Sequence, residues 1–115
     1  MNLAQHEEEG RLVLAISGKC TVEHAATLRD ALLAAAGPGK ALALDVSGVE
    51  DADLTFLQLL LATAQTLDKR GTCLTRLGTI PQVLAEAARV SGFDRTPRLS
   101  AFFATEGRPC PGQIA

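Results

Sequence analysis

The stretch LALDVSGVEDADLTFLQLL, Leu42 to Leu60, changes its hydrophobic period once, and that change constrains the fold more than any other feature of the chain. Ala41 to Val46 is an apolar run too short for a helix and closed by Ser47-Gly48, so it reads as a central strand. Leu57, Leu60, Leu61, Ala64 and Leu67 then recur at helical spacing and define one buried face. Between the two lies a short acidic loop, Glu50-Asp51-Ala52-Asp53, in which Asp53, or Asp51 before it, caps the helix. A strand, a loop and a helix in that order belong to a layered α/β domain, and the junction is a natural place for phosphate chemistry or a partner surface.

The flanking segments repeat this alternation. Leu3 to Glu9 reads as a polar edge strand, and Arg11 to Ser17 as an apolar strand bounded by Gly10 and Gly18. Thr21 is a candidate N-cap, and Val22, Ala25, Leu28, Leu32 and Ala36 follow at helical spacing until Gly37-Pro38-Gly39. Lys69-Arg70-Gly71 ends the second helix, and Thr72 to Leu77 is a further strand. Ile80-Pro81 opens a third helix whose buried face is Val83, Leu84, Ala87, Ala88 and Val90, with Gly92 at its end. Leu99 to Ala104 is a short apolar piece that suits a last helical turn or strand. The order β-β-α-β-α-β-α implies parallel strand pairs joined by crossovers. The expected organisation is one domain over residues 1–106 and a loose tail over 107–115, which carries two prolines and a glycine.

Composition narrows the function classes. Apolar residues are 47% of the chain but aromatics only 3%, so the core is built of Leu, Ala, Val and Ile. A net charge of −2 argues against a nucleic-acid surface, which needs a basic stripe. The longest apolar stretch, Leu57 to Ala64, broken by Gln58 and Thr63, is far too short to span a bilayer, and the acidic N-terminus has no signal-peptide core. The expectation is a cytoplasmic protein. Cys20, Cys73 and Cys110 fall at no metal-ligand spacing and read as reduced thiols. A thiolate would be favoured at the helix start beside Cys20, but no base accompanies it in the sequence. His6 and His24 have no second ligand at a metal-binding spacing. With no nucleophile–base pair and no glycine-rich phosphate loop, the inventory points away from an enzyme, and no cofactor is expected.

Three segments carry a family resemblance. Ala15 to Leu32 has an I-x-G strand end, a loop and a helix with A-x-x-L-R-x-x-L. Leu42 to Asp53 contains D-x-S-G-V followed four residues later by Asp, and Val83 to Phe93 is a helix closed by Gly and a hydrophobic residue. In this order they resemble the STAS domain family, the fold of bacterial anti-sigma factor antagonists, over roughly Leu12 to Phe103. The resemblance implies a mixed β-sheet of four to five strands with helices packed mainly on one side. It also implies partner switching: the regulatory members bind a GHKL-type anti-sigma factor kinase. That kinase phosphorylates a Ser or Thr at the start of the helix after the second central strand, which ends the complex. A phosphate placed there, in an interface and beside acidic neighbours, repels the partner.

This chain departs from the family pattern at that point. It reads Asp53-Leu54-Thr55-Phe56-Leu57, so Leu54 occupies the usual phosphoacceptor slot and Phe56 the usual glycine slot. Thr55 is the one hydroxyl left at the helix start and is the candidate phosphoacceptor. The resemblance therefore implies a regulatory interaction domain for partner switching or chemotaxis-like signalling, without phosphorylation at the usual slot. Its partner-binding residues are Glu50, Asp51, Asp53, Leu54, Thr55, Phe56 and Gln58, with Phe56 a hydrophobic anchor if it is exposed. Lys19 to Glu23, Gln65 and Asp68 extend the same surface. The alternative is a STAS accessory subunit of an ABC-type lipid transporter, bound to its ATPase; such subunits usually keep a Thr directly after the Asp.

Overall fold

Leu12, Leu14 and Ile16 recur at every second residue, and the chain there is the centre of a strand, β2, Arg11–Cys20. The computed structural model describes residues 1–38, 40–72, 74–100 and 102–103. The expected tail over 107–115 lies outside them, as do Cys73 and Cys110. The remaining elements are β1 (Asn2–Glu8), α1 (Ala25–Ala36), β3 (Leu42–Ala52), α2 (Leu54–Lys69), β4 (Leu74–Leu77), α3 (Gln82–Ser91) and α4 (Pro97–Ser100). Single turns of 3₁₀-helix at Val22–His24 and Phe93–Arg95 precede α1 and α4.

The sheet order is β1-β2-β3-β4. β1 runs antiparallel to β2, whereas β2–β3 and β3–β4 are parallel, so the sheet is mixed. Exposed polar and acidic side chains cover β1, which suits an edge strand. One face of the sheet carries Leu12, Leu14, Ile16, Leu42, Leu44 and Val46. Leu28 and Leu32 of α1, Phe56, Leu57 and Leu60 of α2 and Leu84 of α3 pack on that face in one core. Val13 and Ala43, also buried, belong to the opposite face and stand outside this core. The helices therefore lie on one side, as the resemblance implies.

The segment after α3 closes the core. Leu99 and Phe102 are buried, and the Phe103 ring meets Phe102 edge-on at 5.1 Å. Arg76 of β4 fastens it by donating from Nε to the Phe102 carbonyl at 2.8 Å.

Three expectations need correction. β3 does not stop at Val46 and no acidic loop follows it; the strand continues to Ala52. Its buried core residues are Leu42, Leu44 and Val46, then Val49 and Ala52, so the spacing changes from two to three. The cause is a pair of irregularities in the ladder with β2. Ala15 faces Asp45 but Ser17 faces Gly48, and Gly18 faces Val49 but Lys19 faces Asp51. Each shift adds one residue to β3, which is a β-bulge and breaks the alternation a sequence reading relies on. Val90 is not part of the buried face of α3 but 72% exposed, because two residues past Ala88 lie on the far side of a helix. Val22 is 65% exposed rather than buried, because it sits in the 3₁₀ turn and outside the register of α1.

Candidate partner-binding site

The D-x-S-G-V segment builds the approach to the site. Asp45 Oδ1 accepts hydrogen bonds from the Ser47 backbone N–H (3.0 Å) and the Ser47 hydroxyl (2.6 Å), which fixes the first bulge. Gly48 then lies so close to β2 that a Cβ there would meet Ser17 Cβ at 2.8 Å. Only glycine lets the strands pair past the bulge. Val49 returns to the core, and the chain reaches Asp53 in extended conformation.

Asp53 joins two chain segments with one carboxylate. Oδ1 accepts from the Phe56 backbone N–H at 3.3 Å, the N-cap bond of α2. Oδ2 accepts from the Val22 backbone N–H at 2.9 Å, in the turn that precedes α1. The starts of the two helices are thereby held side by side. Thr21, the expected cap of the first helix, makes no side-chain cap bond, and its carbonyl accepts from the His24 N–H at 2.9 Å. Asp53 is the effective anchor of both starts.

The predicted residues separate by exposure. Glu50 and Asp51 are exposed at the second bulge, Leu54 is 51% exposed, Gln58 is exposed one turn along α2, and Thr55 is half-buried. Gln65 and Asp68 continue the outward stripe of α2. Phe56 is fully buried beneath the helix start and does not serve as the exposed anchor. Its ring occupies core volume because the Asp53 bond turns position 56 inward, toward Leu57 and Leu60. The apolar side chains that the junction does expose are Leu54, which follows Asp53, and Val22, whose amide bonds the Asp53 carboxylate. Sequence reasoning placed Lys19 to Glu23 at this surface, but Val22 fits the helical spacing of Ala25 and Leu28 and so looked buried. The signal that separates it is the lack of a second turn of helix before Ala25, which no local pattern encodes.

One amide of the helix start that could receive a phosphate near Thr55, that of Phe56, is already bonded to Asp53. Cys20 lies at the end of β2, directly opposite Ala52. Burial pushes its thiol up to about 11, so the neutral form persists at physiological pH and the thiolate is disfavoured. Among the described residues no group of three or more His, Cys, Asp or Glu is placed to hold a metal ion. No described helix is long and apolar enough to cross a membrane.

A mixed four-stranded sheet with its helices on one face, and a bulged central strand feeding a capped helix, define a STAS-type domain. A family model described as "Mlab, STAS domain" matches residues 3–101, and the chain belongs to this family. No curated protein matches the sequence. An anti-sigma factor antagonist from Mycobacterium paratuberculosis is similar in structure, with 24% identity over 90% of this chain and 94% of that one and a TM-score of 0.70. An anti-sigma-factor antagonist (STAS) domain protein from Planctomyces limnophilus is similar at 16% identity, over 81% of this chain and 84% of that one, with a TM-score of 0.68. The murine anion transporter Slc26a9 is similar at 20% identity over 90% of this chain but 17% of its own, with a TM-score of 0.70. The same fold thus stands alone in the first two and forms a small part of the third.

Proposed function

We propose that this chain is a non-enzymatic regulatory domain that binds a signalling protein through the junction of β3 and α2. The observation that carries this reading is Leu54, a large apolar side chain left half in water at the helix start while Phe56, Leu57 and Leu60 around it are buried. An exposed apolar residue beside a rigid cap is a suitable anchor for a partner. The contact surface comprises Glu50, Asp51, Leu54, Thr55 and Gln58, with Asp53 holding it in shape and Lys19 to Glu23 alongside. The partner is a GHKL-type anti-sigma factor kinase or a related protein of a bacterial partner-switching or chemotaxis-like system in the cytoplasm. Binding is not switched by phosphorylation at position 54, where no hydroxyl exists, and Thr55 is a poor substitute because Asp53 already occupies the adjacent amide.

A photo-crosslinking amino acid at position 58, expressed in the cells of origin, captures the partner for identification by mass spectrometry. Direct binding of the purified partner is then measured. A kinase-like partner whose affinity falls at least about tenfold for Leu54→Asp supports the reading, a size expected of a central anchor. Unchanged affinity, or stoichiometric phosphorylation of Thr55 by the captured kinase, overturns it.

A second reading is an accessory subunit bound to the ATPase of an ABC-type lipid transporter. The observation on its side is that the matching family model is described as Mlab, STAS domain, rather than as an antagonist. Capture of an ABC ATPase in the same experiment selects it.

A further inference from the structure

We infer that the junction selects a partner segment that is apolar at its centre and basic around it. The inference rests on the reading of the junction as the partner surface and adds the chemistry of what it binds. Two observations carry it. The first is apolar: among the described residues four large hydrophobic side chains are exposed, Val22, Leu33, Leu54 and Val90. Two of these meet at Asp53: the Val22 amide bonds its carboxylate at 2.9 Å, and Leu54 is the next residue along the chain. The others lie on separate helices, α1 and α3.

The second observation is electrostatic. Four carboxylates elsewhere on the surface lie against cations, Glu7 against Lys40, Asp30 against Arg29, Glu86 against Arg89 and Asp94 against Arg95, although Glu9 at the β1–β2 turn pairs with no described residue. Glu23, Glu50 and Asp51, all exposed around the Val22–Leu54 pair, form no ion pair with any described residue. Lys19 faces Asp51 across the strands, His24 follows Glu23 and the N-terminal ammonium acts on Cys20 beside them, so the rim is not purely acidic, but the carboxylates of Glu23, Glu50, Asp51 and Asp53 outnumber these cations. An acidic rim around an apolar centre favours lysine or arginine at the edge of the bound segment and repels a like-charged one. The charge adds selectivity and encounter rate, while Val22 and Leu54 supply the anchoring contact.

The test is a titration of the isotopically labelled full chain, followed by amide chemical shifts. The probes are three synthetic peptides that share a Leu-x-x-Leu centre and carry lysine, serine or glutamate at the flanks. The lysine peptide is expected to move the amides of Val22, Glu23, Glu50, Asp51 and Leu54. It should bind at least about fivefold tighter than the serine peptide at low salt, with the preference shrinking as salt rises. Glu50→Lys with Asp51→Lys should abolish the preference, and Leu54→Ser should weaken all three peptides. Both changes are at exposed positions, so unaltered melting curves establish that the variants are folded. Equal binding of the lysine and glutamate peptides at the junction overturns the charge selectivity and leaves the junction intact as a contact surface. Shifts confined to other regions overturn both readings. The absence of binding by every peptide, while the captured partner still binds, overturns the inferred chemistry alone.

Discussion

The chain makes two strand-to-helix junctions within the same small volume, and they are built differently. From β3 the chain passes directly through Ala52 and Asp53 into α2, with a side-chain cap and the buried Phe56 ring fixing the first turn. From β2 it passes through Thr21 and a 3₁₀ turn before α1 begins, with no side-chain cap at either Thr21 or His24. The second junction borrows its fixed point from the first, because the Val22 amide is held by Asp53 Oδ2. A helix start that satisfies its own donors can carry an exposed residue such as Leu54 in a defined place. One that does not can be positioned only by a neighbour. The proposed interaction surface therefore depends on one carboxylate that serves both sides.

The largest test of this asymmetry is Phe56→Ala, which should cost about 3–5 kcal/mol in denaturant unfolding because it empties a fully buried position. Leu60→Ala should cost about 2–5 kcal/mol on the same grounds, whereas Leu54→Ala, at an exposed site, should stay within about 0.5 kcal/mol. A large loss at Leu54 would mean the helix start faces inward instead. Asp53→Ala comes next, at about 1–2 kcal/mol for the lost cap. Its more telling readout is hydrogen exchange: the amides of both Phe56 and Val22 should lose protection together. If Val22 keeps its protection, the two junctions are independent.

A pH dependence follows from Cys20. Its thiol binds its proton more tightly folded than unfolded, because burial raises it to about 11. Below the ordinary thiol range both states are protonated and the group contributes nothing to pH dependence. As pH rises from about 9 to about 11 the unfolded state ionises first, so stability declines. Urea midpoints between pH 8 and pH 10.5 should fall further for the native chain than for Cys20→Ala; parallel declines would show that other groups are responsible. The smallest effect is expected at Thr21→Ala, within about 0.5 kcal/mol, since Thr21 makes no side-chain cap bond. A cost near that of Asp53→Ala would restore the symmetry between the junctions.

Much of the fold was legible because its signals are local. The apolar run Leu12 to Ile16 between Gly10 and Gly18 announces β2, and Leu57, Leu60, Ala64 and Leu67 announce α2 by helical spacing; Leu12, Leu14, Ile16 and these four are buried. Asp53 was legible as a cap because capping residues act on the N–H groups that immediately follow them. The second half of β3 was not legible. Two bulges replace a spacing of two by a spacing of three, which imitates a loop or a helix turn. Whether Phe56 would be exposed, the condition for its serving as an anchor, was not legible either; packing in the core decides it, and the ring is buried.

The sequence by itself determined the order of strands and helices, the aliphatic core and the position of the break before α2, because hydrophobic period and capping act over a few residues. It also determined that no hydroxyl stands at position 54. The tertiary structure alone decided that the Val22 and Phe56 amides share the Asp53 carboxylate, since the 31-residue gap between Val22 and Asp53 closes only when β2 and β3 pair in parallel. Register between distant strands is set by packing of the whole sheet, and no local signal specifies it.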